Sequence, residues 1–529
     1  MTGRGRDRAQ RTYRALPEAA QVALVTPVNL VRALTHTYTT APPTLALPMH
    51  DQVLGMERTV VGSLLAVLTS NELPFVFIPA PEPSNIRLAV PVERRSDLLV
   101  ALARGSEDLA VSWPGPRRFH SVPVQAAGRV QRDHPDQVWI HRRQRAVNVA
   151  DARDALRAVA VEFWAPGERG THEAVLSNSY ASTIRFDAPT RSKQARTGHD
   201  LPTVEAFLST DIGEVTFPVD AVYLWVDDAD RAWRGRRDHV LRALGVQTGH
   251  ESADEARFRQ HDELRYSLRS LSQFAPWIRH VYLVTDQQVP DWLDRDCPRI
   301  SVVDHGELFD GVGRLPTFNS HALAARLHHI PGIADHFLYL NDDFFLGRRT
   351  GAELWFDGNG QPRCYFTRTT SEAADVSDES PLSAARNHTF DLVEQLTGRL
   401  RRRNLQHGPY AIAKQVMFAL EQQLPEEFER TWSSQLRSGT DFVPERLHSQ
   451  VGHAWGRAID SRGVRYKYFN VGQPEAQGQM RAQLDSRWAD TFCLNDAEGP
   501  VPAEQRGRAI RDFLGQYFPT PSEFELPGR

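Results

Sequence analysis

The chain has 529 residues, enough for two to four domains, and its 41% hydrophobic and 24% charged residues are an ordinary globular composition. Lysine and arginine number 62 against 66 aspartate and glutamate, so the net charge of −4 gives no electrostatic case for a nucleic-acid partner. No stretch approaches the roughly 18 consecutive apolar residues of a membrane-spanning helix, so none is predicted.

The cysteines and the N-terminus bear on the cellular compartment. Cys297, Cys364 and Cys493 lie far apart and show no CxxC or Cys/His spacing, which argues against a zinc knuckle or a disulfide framework and suits a reducing cytoplasm. The arginine-rich residues 1–16 are not followed by the apolar region of a signal peptide. We therefore expect a cytoplasmic protein. Peripheral association of the basic terminus with the inner face of the membrane and assembly into a homo-oligomer stay open.

The first 215 residues divide into three segments by composition. Residues 1–45 are basic and contain prolines, which predicts an arm or linker. Residues 46–165 alternate helix-like with strand-like stretches, which predicts a small α+β accessory module; it shows no catalytic constellation. Residues 166–215 are rich in Ser, Thr, Asp and Gly with few periodic apolar positions, which predicts a connector.

Residues 216–529 form one predicted α/β domain. Apolar stretches of strand length alternate with helix-like segments such as 264–274, whose apolar residues follow helical spacing. The predicted strands cover residues 217–226, 281–284, 300–303 and 337–340. This alternation predicts a twisted, doubly wound, mostly parallel sheet of the Rossmann-like kind with helical additions.

Two of these strands end in acidic residues. Residues 339–343 read Tyr-Leu-Asn-Asp-Asp, and Asp227, Asp228 and Asp230 follow the strand at 217–226. Parallel strands present their carboxyl ends at one edge of the sheet, where α/β folds bind ligands, so the two clusters are expected to face one crevice. Adjacent carboxylates suit a hard cation such as Mg²⁺ shared with a substrate phosphate. A turn of Asx residues or a solvated acidic loop is the structural alternative.

His407 lies where a helical pattern over residues 390–428 is interrupted by His-Gly-Pro. Histidine is the usual general base near neutral pH, so His407 could take the proton of an attacking hydroxyl. A packed or solvated histidine is the alternative. Arg437 and the Asn-Asp pair at 495–496 also follow apolar stretches, and neither is specific by itself.

Four separated blocks carry motifs that occur together in one family. The blocks span residues 217–230, 262–347, 386–455 and 490–527. The first reads Val-Asp-Ala-Val-Tyr-Leu-Trp-Val-Asp; the second contains Glu-Leu-Arg-Tyr-Ser-Leu-Arg-Ser, Leu-Pro-Thr-Phe-Asn-Ser-His and Tyr-Leu-Asn-Asp-Asp; the third contains His-Gly-Pro; the fourth contains Cys-Leu-Asn-Asp. In this order they resemble the Stealth family, the bacterial capsular-polysaccharide phosphotransferases related to the catalytic subunit of the lysosomal-enzyme GlcNAc-1-phosphotransferase. Asp228 departs from the family pattern, which usually has Gly there.

The resemblance implies a nucleotide-sugar-transferase-like fold and a phosphotransferase of the EC 2.7 type. Its donor would be a nucleotide-diphosphate sugar such as a UDP-sugar, and its acceptor a glycan hydroxyl. The hydroxyl would attack the β-phosphorus, so that a hexose 1-phosphate such as GlcNAc-1-phosphate is transferred and nucleoside monophosphate leaves. The product would be a phosphodiester in a capsular polysaccharide or exopolysaccharide. A metal-dependent glycosyltransferase that releases nucleoside diphosphate is the alternative.

The resemblance also implies roles for individual residues, each of which supplies a charge, a ligand or a base to the expected reaction. The expected cofactor is Mg²⁺ or Mn²⁺. The implied metal ligands are Asp343, with Asp342 and Asp496 as helpers. The implied catalytic residues are Asp343, His407 as the base and Arg437. The implied substrate-binding residues are Asp227, Arg265, Asn319, His321 and Lys414.

Overall fold

The computed structural model describes residues 50–78, 86–105, 109–114, 119–126, 135–142, 158–176, 178–193, 199–246, 258–370 and 380–526. The predicted arm over residues 1–45 lies outside these ranges. The chain divides into two compact units, the first ending at Asp211 and the second beginning at Ile212. Each unit has its own buried hydrophobic clusters and therefore its own core.

The first unit has an α+β architecture and includes the described part of residues 46–165, for which the sequence predicts such a module. Its elements are α1 (His50–Ser70), β1 (Val76–Ile78), β2 (Ile86–Pro91), α2 (Arg95–Gly105), β3 (Leu109–Pro114), β4 (Phe119–Pro123), β5 (Gln137–Arg142), β6 (Val159–Pro166), β7 (His172–Glu173), β8 (Thr183–Ile184), β9 (Thr190–Lys193) and β10 (Asp200–Thr203). The main sheet has the order β1-β2-β6-β5-β3-β4, with β2 and β6 parallel and the other neighbours antiparallel. Leu64 and Leu68 of α1 and Leu98 and Leu102 of α2 lie on the helix faces that this sheet buries.

The segment over residues 166–215 is more ordered than a plain connector. It carries β7 to β10, and β7 pairs with β6 through Pro166 opposite His172. Strands β7 and β8 therefore extend the sheet of the first unit, whereas β9 and β10 form a separate two-stranded sheet. Strands of two to four residues are too short to show a period of two, which is why the amino-acid pattern does not reveal them.

The second unit is built on a mostly parallel sheet. Its elements are β11 (Val219–Leu224), α3 (Arg231–Ala243), α4 (Glu263–Phe274), β12 (Ile278–Thr285), β13 (Ile300–Asp304), α5 (His305–Phe309), α6 (Ser320–Ala324), β14 (His336–Asn341), β15 (Phe344–Leu346), β16 (Arg363–Cys364), β17 (Phe366–Thr370), α7 (Pro381–Thr397), β18 (Arg403–Leu405), β19 (Tyr410–Ala413), α8 (Lys414–Gln423), α9 (Pro425–Ser433), α10 (Pro444–Ala454), β20 (Ile459–Asp460), β21 (Tyr466–Asn470), α11 (Ala476–Ser486), β22 (Thr491–Asn495) and α12 (Ala503–Tyr517). Within the described ranges of both units, no helix has the length and apolar character needed to span a bilayer.

The main sheet of this unit has the order β13-β12-β11-β14-β19. The first four strands are parallel and β19 runs antiparallel to β14, which confirms the predicted mostly parallel, Rossmann-like sheet. Every residue of β11 is buried, with Val222 and Leu224 facing one hydrophobic cluster and Ala221 and Tyr223 the other. Both faces are covered, so the strand reads as a continuous apolar run rather than an alternating one.

The region around His407 differs from the interrupted helix that the sequence predicts. Helix α7 ends at Thr397, and the short strands β18 and β19 then flank His407 before helix α8 begins at Lys414. A second sheet of order β15-β22-β21 adjoins the end of β14. Since β18 and β19 have three and four residues, the helical spacing on either side of them dominates the local pattern.

Candidate active site

The site lies where the strand order of the main sheet reverses. Strands β12 and β13 extend from one side of β11, while β14 pairs with its other side. In this parallel pair Leu224 lies opposite Asn341, so Asp227 and Asp342 leave the sheet at the same edge. Open α/β sheets bind their ligands at such a switch point, outside the carboxyl ends of the strands.

Asp342 and Asp343 form the turn from β14 into β15. The backbone oxygen of Asp343 accepts a hydrogen bond from the Leu494 amide at 3.1 Å, which ties the turn to β22. Its Oδ2 accepts from the Cys493 thiol at 3.1 Å, whereas its Oδ1 is buried without a hydrogen-bond partner. Burial raises the pKa of Asp342 to about 6 and that of Asp343 to about 7, and the charge of Asp342 adds to the second shift.

Glu263 is a third carboxylate beside this pair. It is the first residue of α4, only 4% exposed, and its side chain accepts a hydrogen bond from the His261 amide. Burial raises its pKa well above the ordinary range, and the charges of Asp342 and Asp343 raise it further. Glu263 belongs to a motif of the second sequence block, but the sequence predicts no role for it. An acidic residue at a helix start is common as a complement to the helix dipole, so its position alone does not point to a site.

His407 reaches the same edge from the loop before β19. Its ring lies edge-on to Phe344, with centroids 4.8 Å apart, and its Nδ1 lies 3.2 Å from the Tyr410 hydroxyl. Asp343, His407 and Cys493 each offer a ligand atom within 4.8 Å of the others. Loss of hydration among the surrounding groups lowers the pKa of His407 to about 4, and the positive charges of Arg386 and Arg437 add to this shift, although part of the side chain is exposed.

Arg386 and Arg437 bring positive charge to the His407 side of the site. Arg386 is on α7, and Arg437 is on the loop between α9 and α10. The positive charges of both arginines lower the pKa of His407, and they also favour the charged form of Glu445, which lies at the start of α10. Burial raises the pKa of Glu445, and the charges of Arg446, Arg437 and Arg386 oppose that rise. Neither Arg386 nor Glu445 is predicted from the sequence, because each lies in a helical segment and not in a quoted motif or at a strand end.

Asn319 and His321, both predicted to bind substrate, contact the loop that carries Arg437. Asn319 caps α6, and its Nδ2 donates to Asp441 Oδ2 at 2.8 Å; the Nδ1 of His321 lies 3.6 Å from the same oxygen. Asn319 and Asp441 are fully buried and His321 is 5% exposed. Arg437 Nη2 in turn donates to Ser320 Oγ at 2.9 Å. These contacts position Arg437 through its loop.

Asp227 lies on the β11 side of the crevice and is bound to its neighbours. Its Oδ1 accepts hydrogen bonds from the Ala229 amide at 2.8 Å and from Gln260 Nε2 at 3.3 Å. Gln288 bonds the Asp227 backbone through both its oxygen and its nitrogen. The loop is therefore held in place by side chains as well as by its own turn.

Asp496, a predicted metal ligand, already has side-chain partners. Asp496 Oδ2 lies 3.2 Å from His261 Nε2 and 3.4 Å from Arg259 Nη1, and its Oδ1 pairs with Arg506. Burial alone would raise the pKa of Asp496, but hydrogen bonds from His261 and Arg506 lower it. Each of its oxygens thus has a cationic partner already.

Arg265 and Lys414 lie apart from the His407 cluster. Arg265 Nε donates to Glu525 Oε2 at 2.6 Å, and its guanidinium lies over the Trp292 ring. Lys414 follows β19 and lies at the amino end of β14, because Ala413 pairs with His336; Asn341 is at the other end of that strand. The positive charges that act on His407 are those of Arg386 and Arg437.

The carboxylates fit a divalent cation that prefers oxygen ligands. Asp343 Oδ1 is a buried acceptor with no hydrogen bond, and Asp342 and Glu263 are desolvated carboxyl groups beside it. The alternative ligand set, Asp343 with His407 and Cys493, includes a sulfur whose pKa is raised well above its ordinary value by burial and by Asp343. Sulfur and imidazole favour softer metals, whereas Mg²⁺ and Mn²⁺ prefer oxygen ligands, so the oxygen set suits Mg²⁺ or Mn²⁺ better.

The fold and the site together define an α/β protein with a cluster of carboxylates at the switch point of its sheet, and four sequence regions identify its family. The regions match Stealth protein conserved region 1 over residues 217–245, region 2 over 257–364, region 3 over 406–444 and region 4 over 483–529. Exopolysaccharide phosphotransferase CpsY of Mycobacterium tuberculosis strain H37Rv is 32% identical over 467 residues, which cover 87% of each chain. The chain belongs to the Stealth family, as the resemblance predicted.

Other relatives match over smaller parts of their length. Exopolysaccharide phosphotransferase SCO2592 of Streptomyces coelicolor is 37% identical over 69% of this chain and 40% of that protein, and SCO6021 of the same organism is 39% identical over 61% and 60%. The chain thus spans 40% to 60% of these two relatives. A crystal structure of the galactosyltransferase LgtC with donor and acceptor sugar analogs covers 56% of this chain and 95% of that chain, at 11% identity. Its TM-score of 0.30 supports no inference about this protein.

We predict that Asp343→Asn raises the melting temperature of the metal-free protein at pH 8 by a few degrees. The Asp343 carboxyl has a folded-state pKa of about 7, above its ordinary value, so the folded state binds this proton more tightly. Its contribution to stability is present below pH 4 and is lost as pH rises through 7. The amide removes a charge that is unfavourable at pH 8.

Calorimetry at pH 5 and pH 8, with and without Mg²⁺, tests this prediction. Mg²⁺ should raise the melting temperature of the wild type at pH 8 and have less effect on Asp343→Asn. Asp496→Asn is the matched control. It should lower the melting temperature, because the neutral amide cannot form the ion pair that the Asp496 carboxylate makes with Arg506. A destabilised Asp343→Asn variant would contradict the electrostatic reading of the pair.

Proposed function

We propose that the protein transfers a hexose 1-phosphate from a nucleotide-diphosphate sugar to a glycan hydroxyl and releases nucleoside monophosphate. The observation that carries the proposal is the arrangement of Asp342 and Asp343 at the switch point, with His407 and two arginines beside them. The names of the curated relatives, exopolysaccharide phosphotransferases, support a phosphodiester product in a cell-surface polysaccharide. The donor and the acceptor are parts of the proposal.

The carboxylate side of the site is assigned to the donor diphosphate. A divalent cation, Mg²⁺ or Mn²⁺, would supply charge neutralisation of the diphosphate when bound. Asp343 and Asp342 would hold it, and we place Glu263 beside them as the third carboxylate. Asp496 is assigned to hold the segment around His261 in place, because its oxygens are engaged by cationic side chains.

His407 is assigned as the base for the acceptor hydroxyl. When its Nδ1 carries the proton and donates to the Tyr410 oxygen, its Nε2 has the lone pair that accepts a proton. A pKa of about 4 leaves the ring neutral at pH 7. A bound diphosphate would offset the nearby arginine charges and bring negative charge close to the ring, which strengthens the base when the donor is present.

Arg386 and Arg437 are assigned to the transferred phosphoryl group. Charge stabilisation and positioning supply most of the catalysis in phosphoryl transfer. The charges of both arginines lower the pKa of His407, so both guanidinium groups are near the ring that the acceptor hydroxyl would approach. The Asn319 and His321 contacts with Asp441 would keep the Arg437 loop in the productive position.

The nucleotide product distinguishes this reaction from ordinary glycosyl transfer. Attack on the β-phosphorus breaks the bond between the two phosphates and releases nucleoside monophosphate, while attack on the anomeric carbon releases nucleoside diphosphate. We propose incubating the full chain with Mg²⁺, a panel of nucleotide sugars and glycan acceptors, and identifying the released nucleotide by mass. A phosphodiester signal in phosphorus NMR of the product is the expected companion result. Release of diphosphate would establish glycosyl transfer instead.

We predict that His407→Ala lowers kcat by about 10²–10⁴ while donor affinity changes little, because a base acts mainly in the transition state. The measurement pairs steady-state turnover with direct titration of the donor. His388→Ala is a suitable control, since His388 pairs with Glu427 outside the site. Normal turnover in the His407 variant would remove it from the mechanism.

We predict that Arg386→Ala and Arg437→Ala each lower kcat/KM by about 10²-fold or more, as the loss of a charge aimed at the developing phosphoryl charge does. Lys414→Ala should keep near-normal kinetics, because Lys414 lies at the amino end of β14. Steady-state kinetics of the three variants measure the difference. Similar losses of kcat/KM in all three variants would contradict the proposal that Arg386 and Arg437, and not Lys414, stabilise the charge of the phosphoryl group.

A further inference from the structure

A second convergence of possible metal ligands lies apart from the carboxylates of the active site. His328 and His329 are on the short turn before β14, and Glu421 is on α8. The Nε2 atoms of both rings lie 2.7 Å from the same oxygen, Oε2 of Glu421. The ligand atoms of these three residues all lie within 4.8 Å of one another.

The cluster combines a buried ligand with access from solvent. The His328 side chain is fully buried, whereas the His329 and Glu421 side chains are 25% and 23% exposed. The Phe418 ring packs edge-on against both imidazoles, with centroids 4.7 and 5.1 Å away. The two histidines are thus held by packing, while the exposed side is open to an ion and to water.

An ordinary ion pair in the same protein shows how this cluster differs. His388 Nε2 also lies 2.7 Å from a carboxylate oxygen, on Glu427, but one imidazole is involved there. The same carboxylate also pairs with Arg430 Nη1 at 2.8 Å. The cluster at Glu421 brings three possible ligand atoms together, two imidazole nitrogens and a carboxylate oxygen, whereas the guanidinium at Glu427 cannot bind a metal ion.

We propose that His328, His329 and Glu421 bind Zn²⁺ and that the ion fastens α8 to the turn before β14. Two imidazoles and one carboxylate form a known zinc donor set, and imidazole suits zinc among the common divalent ions. The fourth position would be filled by water from the exposed side. This site is independent of the proposed transfer reaction.

Zinc binding requires only small changes in the cluster. In neutral rings the proton moves from Nε2 to Nδ1, so each Nε2 lone pair becomes available and no net proton is released. Metal–ligand bonds of about 2.0–2.2 Å place ligand atoms about 3.3 Å apart, so the carboxylate must withdraw by roughly half an ångström. Glu421 is partly exposed, which leaves room for that movement.

The test measures zinc bound to the full chain after treatment with a chelator, together with the melting temperature. The wild type should bind Zn²⁺ at this site and melt about 5 °C higher at saturating Zn²⁺. His329→Ala and Glu421→Gln should each weaken this binding at least tenfold and remove most of the shift. Both side chains are partly exposed, so these variants are expected to fold; the melting temperature in chelator checks this. His388→Ala should behave as the wild type does.

His407→Ala separates this cluster from the active site, where Asp343, His407 and Cys493 also offer ligand atoms. Under the proposal, His407→Ala keeps the melting shift and Glu421→Gln loses it. Three results would overturn the proposal: no zinc-dependent shift in the folded wild type, an unchanged shift in both cluster variants, or a shift lost only in His407→Ala. Absorption by substituted Co²⁺ provides a second readout, and its four-coordinate spectrum should disappear in Glu421→Gln.

Discussion

The parallel pairing of β11 with β14 is the constraint on which the site depends. Leu224 lies opposite Asn341, and this register brings two acidic strand ends to one edge at the point where the strand order reverses. Both faces of the sheet are covered by hydrophobic clusters, so a slip of one residue would turn buried side chains to the wrong face. Core packing therefore sets the positions of the carboxylates.

The same packing makes these carboxylates unusual. Asp342 and Asp343 are adjacent carboxyl groups, and burial raises the pKa of both, which makes their charged forms unfavourable without a counter-ion. Asp496, directly after β22, pairs with cationic side chains, and its pKa is lowered. The charge of Asp496 is therefore already compensated by protein side chains, whereas a bound cation would compensate the charges of Asp342 and Asp343.

Strand ends and motifs in the sequence predict where the site lies, and the roles of its residues stay predictions. Asp342, Asp343 and His407 were found because they follow a strand or interrupt a pattern, and both features are local. Arg386 escaped notice because it lies within an ordinary helical segment and approaches His407 only through tertiary packing. Lys414 lies close to His407 along the chain and belongs to the same sequence block. Strand β19 runs between the two residues, so Lys414 lies at the amino end of β14. Closeness along the chain does not reveal which end of a strand a residue occupies.

The sequence by itself determined the family, the α/β class and the acidic strand ends, because these depend on motif order, apolar patterning and composition along the chain. Tertiary structure decided which charges meet. It turned Asn319 and His321 toward Asp441, gave Asp496 its cationic partners, and brought Glu263 beside the aspartate pair. It also joined His328 and His329 to Glu421 across more than ninety residues. Side-chain partners across such separations follow from how helices pack on the sheet, which local periodicity does not encode.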